Sequence, residues 1–447
     1  MPTPLFYTIY MSLINSKIFR AYDIRGIYPK EITKDFALRL GCFLPEFLLK
    51  SGINRKNKRK ILIGFDFRPS SAILRNFLIK GLAANQVTVI DAGLVSTPMF
   101  YFLVKKTGAD LGIMITASHL ARNYNGFKIC TSDLQIIPSE KFRKYLYLFK
   151  KEIPPLNKLV KIYRKNFLND YVDFLLKKIR FSKKELKYLK KMKIIADADS
   201  KVVGDILKKI SAKTGLKIKI NSGNSRLKAD MKLVFDGDGD RAVFVSPKGR
   251  EILGDAIGVL LADYELKFNA KKIIIVDERS TALISEIVKK SRGKIIYSRV
   301  GHRFFKEKML KYCALLGIEK SGHYYWRDFF FADSGVFTFL KVLKILAYYK
   351  KDLMDLMKDY RKYATLPEKN FKIKNYPKKL RAVEKKFKKS ARRISHLDGL
   401  TMEFKDWRFN LRPSQTESHL RLNIESDYPE ILAKHLAEIK KLIHKIK

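Results

Sequence analysis

The chain has 447 residues, 46% hydrophobic and 30% charged, with 92 Lys and Arg against 44 Asp and Glu for a net charge of +48. That balance is a globular one, long enough for about three or four domains. No apolar run reaches the roughly 18 residues that a membrane span needs. Pro4 to Ile14 is apolar but has neither a basic start nor a small-residue cleavage site, so it does not read as a signal peptide. Met11 serves equally well as a start. Cys42, Cys130 and Cys313 share no metal-ligand spacing and read as reduced thiols of a cytoplasmic protein.

In chain order, strands alternate with helices through about residue 365, the pattern of an α/β fold with mixed or parallel sheets. Asp35–Lys50 and Ser70–Asn85 read as helices, and Lys60–Phe65, Val87–Ala92 and Leu111–Ile115 as strands. One unit recurs: Ile63-Gly64-Phe65-Asp66 leads to Pro69-Ser70-Ser71, Ile194-Ile195-Ala196-Asp197 to Ser200, and Ile274-Ile275-Val276-Asp277 to Ser280-Thr281. Each is a buried strand, an acid at its end and a hydroxyl near a helix start. From Asn370 the pattern changes, with Lys378–Ile394 helical, Leu420–Ile424 a strand and Ile431–Lys447 a closing helix, which suits a smaller α+β domain. Boundaries fall near Pro154-Pro155, Ser246–Gly249 and Pro367.

Two stretches carry chemistry. The apolar strand Ile113-Met114-Ile115 ends in Thr116-Ala117-Ser118-His119, with Lys128 ten residues beyond the serine. A hydroxyl presented at a strand end suits transfer of a phosphoryl group, although a lone Ser-His pair more often marks an ordinary polar turn. The second stretch is Phe235-Asp236-Gly237-Asp238-Gly239-Asp240-Arg241. Its alternate aspartates can turn oxygens onto one hard cation, and the glycines permit the curvature. It is not an EF-hand, because Pro247 stands where the twelfth-position carboxylate belongs.

Together these stretches resemble the α-D-phosphohexomutase family, in its phosphomannomutase/phosphoglucomutase subgroup, over about Lys17 to the end. The resemblance implies three related α/β domains with mixed sheets plus a smaller C-terminal α+β domain. Their bounds would be 1–153 with a phosphoserine loop, 154–247 with the metal loop (shortened), 248–366 with a sugar loop, and 367–447 with a phosphate loop. It implies that Ser118 is phosphorylated and that Asp236, Asp238 and Asp240, with the serine phosphate, hold Mg²⁺. Arg241 would hold phosphate oxygens, and Tyr22 and Arg25 of F-R-A-Y-D-I-R-G (Phe19 to Gly26) would face the active cleft. Glu319 and Ser321 of E-K-S-G-H, with His323, and the turn Gly301-His302 would contact the sugar; Arg412, Ser414, Gln415, Thr416 and Arg421 would grip the phosphate that does not react. His119 and Lys128 are candidates for proton transfer. Relatives often have lysine where this chain has Arg279, a poor base that can still stabilise charge. Other departures are Leu120-Ala121 for the usual Asn-Pro, implying a less rigid serine loop, Ile318 for a glycine, and Gln415 and Ser418 in the phosphate loop.

The expected protein is an isomerase that interconverts mannose 6-phosphate and mannose 1-phosphate, together with the glucose pair. It would need Mg²⁺ and a hexose 1,6-bisphosphate activator, and would be cytoplasmic, a monomer or a weak dimer. A phosphoglucosamine mutase, or a non-catalytic basic protein that binds polyanions, are the alternatives. The lysines spread over most predicted helices, denser only at Asn54–Lys60, Lys183–Lys193 and Lys378–Arg393, and the aromatics do not interleave with them. Solvated basic faces are therefore expected, with no specific nucleic-acid site.

Overall fold

The structure is a computed structural model, and it describes residues 15–20, 23–53, 59–118, 120–156, 160–198, 200–221, 229–360, 362–372, 376–414 and 419–445. Tyr22, His119, Gln415 and Thr416 lie outside these residues. The chain divides into two compact units, Met1–Ala242 with Asp328–Lys344, and Val243–Arg327 with Ile345–Lys447. Residue patterns fix the layers: runs of Ile, Leu and Val buried on both faces make parallel strands, and helices with one apolar stripe cover them.

In the first unit the main sheet joins β1 (Ile24–Ile27), β2 (Arg59–Phe65), β3 (Val87–Leu94), β4 (Leu111–Ile115), β5 (Tyr124–Thr131) and β6 (Lys161–Arg164) in the order β1-β5-β4-β2-β3-β6. Strands β4, β2, β3 and β6 run parallel, whereas β5 is antiparallel to both of its neighbours, β4 and β1. At the edge, all four residues of β6 are exposed. Helices α1 (Lys34–Lys50) and α2 (Pro69–Leu82) pack on this sheet over a core rich in phenylalanine, in which Phe47 stacks on Phe142 at 4.1 Å. A second parallel set follows, β7 (Lys193–Ala198) between β8 (Lys217–Asn221) and β9 (Met231–Phe235).

In the second unit, β10 (Ile273–Asp277) lies between β11 (Lys294–Ser298) and β12 (Leu316–Ile318), all parallel, and β13 (Tyr324–Trp326) returns antiparallel beside β12. The C-terminal part is an antiparallel sheet. In it, β14 (Lys369–Lys372) pairs with β18 (His419–Ser426), and β17 (Trp407–Pro413), β16 (Leu400–Glu403) and β15 (Arg393–Ser395) follow outward. Its apolar face packs Trp407, Phe404 and Phe387 beneath the closing helix Pro429–Lys445. The expected helix over Lys378–Ile394 is corrected: it is Tyr376–Phe387, a 3₁₀ turn follows, and Ile394 lies in β15. The lysines there gave helical propensity, but pairing of Ile394 with Met402 claims the end of the segment.

Among the described residues, no helix is long and apolar enough to cross a membrane. Cys42 and Cys130 are buried free thiols and Cys313 is an exposed one. Each of the strands β2, β4, β9, β10 and β12 delivers a charged or hydroxyl residue just beyond its C-terminal end, the place where open parallel sheets present chemistry.

Candidate active site

The sequence-derived site residues gather in two clusters, one in each unit. In the first unit, β4 is buried along its length and ends in Thr116, Ala117 and Ser118. Ser118 is only 4% exposed and has φ +54°, a left-handed conformation that is uncommon for a residue with a Cβ. Its N–H donates to Thr116 Oγ1 at 2.9 Å, and its Oγ lies 3.2 Å from Asp238 Oδ1 as a donor.

A residue that sequence reasoning passed over holds this loop. Arg68, 4% exposed, donates to the carbonyls of Ser118 (2.7 Å), Leu120 (2.6 Å), Ala121 (2.7 Å) and Tyr124 (3.2 Å). Asp66 fixes Arg68 in turn, through its Nε at 3.0 Å and its N–H at 3.1 Å. Asp66 also accepts from Ser71 Oγ at 2.6 Å and Thr116 Oγ1 at 2.7 Å. So the hydroxyl near the helix start binds back to the acid, and α2 has no side-chain cap. The loop expected to be less rigid for want of Asn-Pro is thus tied down by a buried guanidinium.

The aspartate loop follows β9. Gly239 has φ +73°, where a side chain would be strained, and the carboxylates of Asp236, Asp238 and Asp240 each offer an oxygen within 4.8 Å of the others. Burial, then the charges of Asp240 and Asp238, push the Asp236 carboxyl well above the ordinary carboxylate range, against the pull of Arg241. Three mutually repelling carboxylates with only hard oxygen donors fit a divalent cation such as Mg²⁺. Lys128, on β5 opposite Met114, places Nζ 3.0 Å from Asp238 and 3.6 Å from Asp240. Burial alone would lower its pKa, but these two carboxylates outweigh that and hold it above its ordinary value. Its contact with two carboxylates suits Lys128 to neutralising charge at this loop. Arg241 donates to Asp236 at 2.8 Å, and Arg25 pairs with Asp23 at 2.6 Å.

In the second unit, β10 ends at Asp277 and β12 leads to Glu319. Arg279 donates through its N–H (2.8 Å) and its guanidinium (2.7 Å) to Asp277, and lies 3.9 Å from Glu319. Glu319 accepts from Gly301 N–H at 3.2 Å and from Tyr325 Oη at 3.1 Å. Gly301 has φ +122°, so that close approach requires a glycine. Ser321 Oγ and His323 Nδ1 are 3.1 Å apart, and the His302 ring meets the His323 ring edge-on at 4.6 Å. Arg412 and Arg421, at the facing ends of β17 and β18, lie 3.8 Å from Glu368 Oε2 and 3.5 Å from its Oε1, and Oε2 also accepts from Asn423 at 2.9 Å and faces Arg279 at 4.0 Å. Burial and the charge of Arg279 lower the Arg412 pKa despite nearby acids. Such a crowd of guanidinium groups suits an anion with several oxygens. Glu368 was not singled out from the sequence, although it lies beside the boundary expected near Pro367. Ser414 closes the hairpin through its N–H to His419 at 2.8 Å.

Comparison with known proteins gives matches along nearly the whole chain. Residues 16–148 match "Phosphoglucomutase/phosphomannomutase, alpha/beta/alpha domain I", and residues 253–363 match domain III of the same family. The chain is 32% identical to a phosphomannomutase of Methanocaldococcus jannaschii, covering 96% of this chain and 98% of that one. It is also 32% identical to a phosphomannomutase of Escherichia coli, over 91% and 94%. A crystal structure of a phosphoglucomutase/phosphomannomutase family protein from Burkholderia thailandensis superposes with a TM-score of 0.81 at 25% identity, covering 96% and 97% of the two chains.

Proposed function

Because the chain belongs to the α-D-phosphohexomutase family and is thereby a phosphohexomutase, we propose that it interconverts the 6- and 1-phosphates of mannose, and of glucose, through a phosphoserine at Ser118. The observation that carries this reading is Ser118 Oγ, 3.2 Å from Asp238 in a strained, fully braced loop beside three converging carboxylates.

In this reading phosphorylated Ser118 gives its phosphoryl group to a sugar hydroxyl. The P–Oγ bond breaks, a P–O bond to the sugar forms, and the proton of the sugar hydroxyl ends on the released Ser118 Oγ, yielding a hexose 1,6-bisphosphate. The same bisphosphate, added externally, would prime the unphosphorylated enzyme. After the intermediate turns over, its other phosphoryl group returns to Ser118, so nothing is consumed. Asp236, Asp238, Asp240 and the serine phosphate would hold Mg²⁺, which supplies neutralisation of charge on the transferring phosphoryl group. Lys128 on β5 and Arg241 on the aspartate loop add fixed positive charge, and Arg25 is proposed to face the cleft. Glu319 and Ser321 pair acceptor with donor for two adjacent sugar hydroxyls, and His323, His302 and Gly301 shape that reader. Arg412, Arg421, Ser414 and the loop after it hold the unreactive phosphate, whose binding energy serves the transition state. Arg279 stabilises charge; as an arginine it does not act as the base. The four-domain division at 153, 247 and 366, cytoplasmic location and the absence of a specific nucleic-acid partner belong to the same proposal.

Mannose and glucose differ only at carbon 2, and Glu319 and Ser321 are assigned to carbons 3 and 4, so a site without a carbon-2 contact discriminates weakly. Mannose, glucose and glucosamine 1-phosphates should be assayed side by side with Mg²⁺ and glucose 1,6-bisphosphate. The first two should turn over with efficiencies within about a hundredfold, and glucosamine phosphate should be poorest. A clear preference for glucosamine 1-phosphate would overturn the substrate assignment.

A further inference from the structure

We infer that Arg393 and Arg408, on the C-terminal sheet, form a clamp that sets the position of Arg279. This rests on the reading of Arg279 as a substrate-facing charge. The three residues after β10 are Glu278, Arg279 and Ser280. The Glu278 side chain is fully buried and accepts a fork from Arg393, 2.8 Å to Oε1 and 3.2 Å to Oε2, with Ser395 Oγ donating at 2.7 Å. The Arg408 guanidinium bridges the carbonyls on either side of Arg279, donating to Glu278 O at 2.9 Å and to Ser280 O. Arg408 is itself 6% exposed and lies between Glu403 at 3.4 Å and Glu425 at 3.6 Å. Glu425 then accepts the Ala282 N–H at 2.6 Å.

The loop is thus pinned at Glu278, Ser280 and Ala282 by side chains of β15, β17 and β18, while the Arg279 side chain meets Asp277, Glu319 and Glu368. A guanidinium is planar and its two terminal nitrogens reach two carbonyls at once, which a lysine cannot do. None of Arg393, Arg408 and Glu425 belongs to the proposed sugar or phosphate contacts, so they are positioning residues. They also border a cleft of about 670 Å³, lined in part by Tyr297, Tyr363, Phe404 and Trp407. The Arg393 guanidinium lies over the Tyr297 ring at 4.0 Å.

The test is a double-mutant cycle on the full-length protein, with kcat, KM and thermal midpoint measured for Arg408→Gln, Arg279→Gln and the pair. Arg393→Gln, whose side chain is 30% exposed, runs in parallel in case Arg408→Gln does not fold. Arg408→Gln or Arg393→Gln should lower kcat by about tenfold and KM by less than about threefold in the parent. In the Arg279→Gln background either should cost less than about twofold in kcat, while the shift in thermal midpoint stays the same in both backgrounds. A full loss of kcat in the Arg279→Gln background would overturn the clamp alone, since the damage would not pass through Arg279. Unchanged turnover of Arg279→Gln itself would overturn the substrate-facing reading, and the clamp with it.

Discussion

Strand β2 in one unit and strand β10 in the other each end in Asp-x-Arg with a hydroxyl residue close behind. In both, the arginine N–H donates to one carboxylate oxygen, at 3.1 Å for Asp66 and 2.8 Å for Asp277, and its guanidinium donates to the other. Ser71 and Ser280 donate to the same two acids. Beyond that point they part. Arg68 directs its remaining donors to four backbone carbonyls, whereas the remaining neighbours of Arg279 include the carboxylates of Glu319 and Glu368. Carbonyls of one loop are permanent partners, so Arg68 builds architecture. Carboxylates can yield to a phosphate, so Arg279 is suited to a ligand that comes and goes. Similar local sequence chemistry therefore gives a brace in one copy and, in the proposed function, a reader in the other, the neighbours making the difference.

Mutations can break or sharpen that contrast. The largest effect should come from the group that the braced loop presents: Ser118→Ala is expected to lose more than about a thousandfold in turnover while still binding sugar phosphate. Peptide mapping of the parent after incubation with the bisphosphate should find the phosphate on Ser118. Parent-like turnover by the variant would show that the brace serves something else. Next, Asp238→Asn should cost at least about a hundredfold, because it removes charge from the proposed cation site and from Lys128. Full activity of the parent in excess chelator would exclude an essential divalent ion.

The third test addresses the two arginines directly. Arg68→Lys leaves several buried carbonyls without their charged donors, and should destabilise by about 3 kcal/mol, visible in denaturant titration, with turnover reduced by about tenfold. The smallest effect belongs to Arg279→Lys, which keeps the positive charge. It should change turnover by less than about tenfold and leave stability within about 0.5 kcal/mol of the parent. If Arg279→Lys unfolds the protein as readily as Arg68→Lys, the two arginines are the same device after all.

The recurring strand and acid were legible because apolar runs and terminal aspartates are local features; β4 occupies the very residues expected of it. The aspartate loop was legible for the same reason, since its three ligand candidates lie within five residues. Arg68 was not, although it stands in the same place in its repeat as Arg279 does. Its importance comes from carbonyls some 50 residues away, and backbone acceptors leave no mark in a sequence. Strand β5, which carries Lys128, was missed because its N-G-F-K sequence has too little apolar alternation to stand apart from the loop before it. The tail of the Lys378–Ile394 helix failed for a related reason: sheet pairing across the C-terminal domain overrode propensity.

The edge strand β6 gives the chain's charge a use outside catalysis. Ile162 and Tyr163 stand exposed on a strand that, among the described residues, is paired on one side alone, a template on which a second polypeptide could pair. Lys161 and Arg164 flank them, and every approaching copy brings a net charge of +48. Repulsion between like molecules then guards an otherwise adhesive border, and this colloidal protection is strongest in dilute salt, weakening as the screening length shrinks.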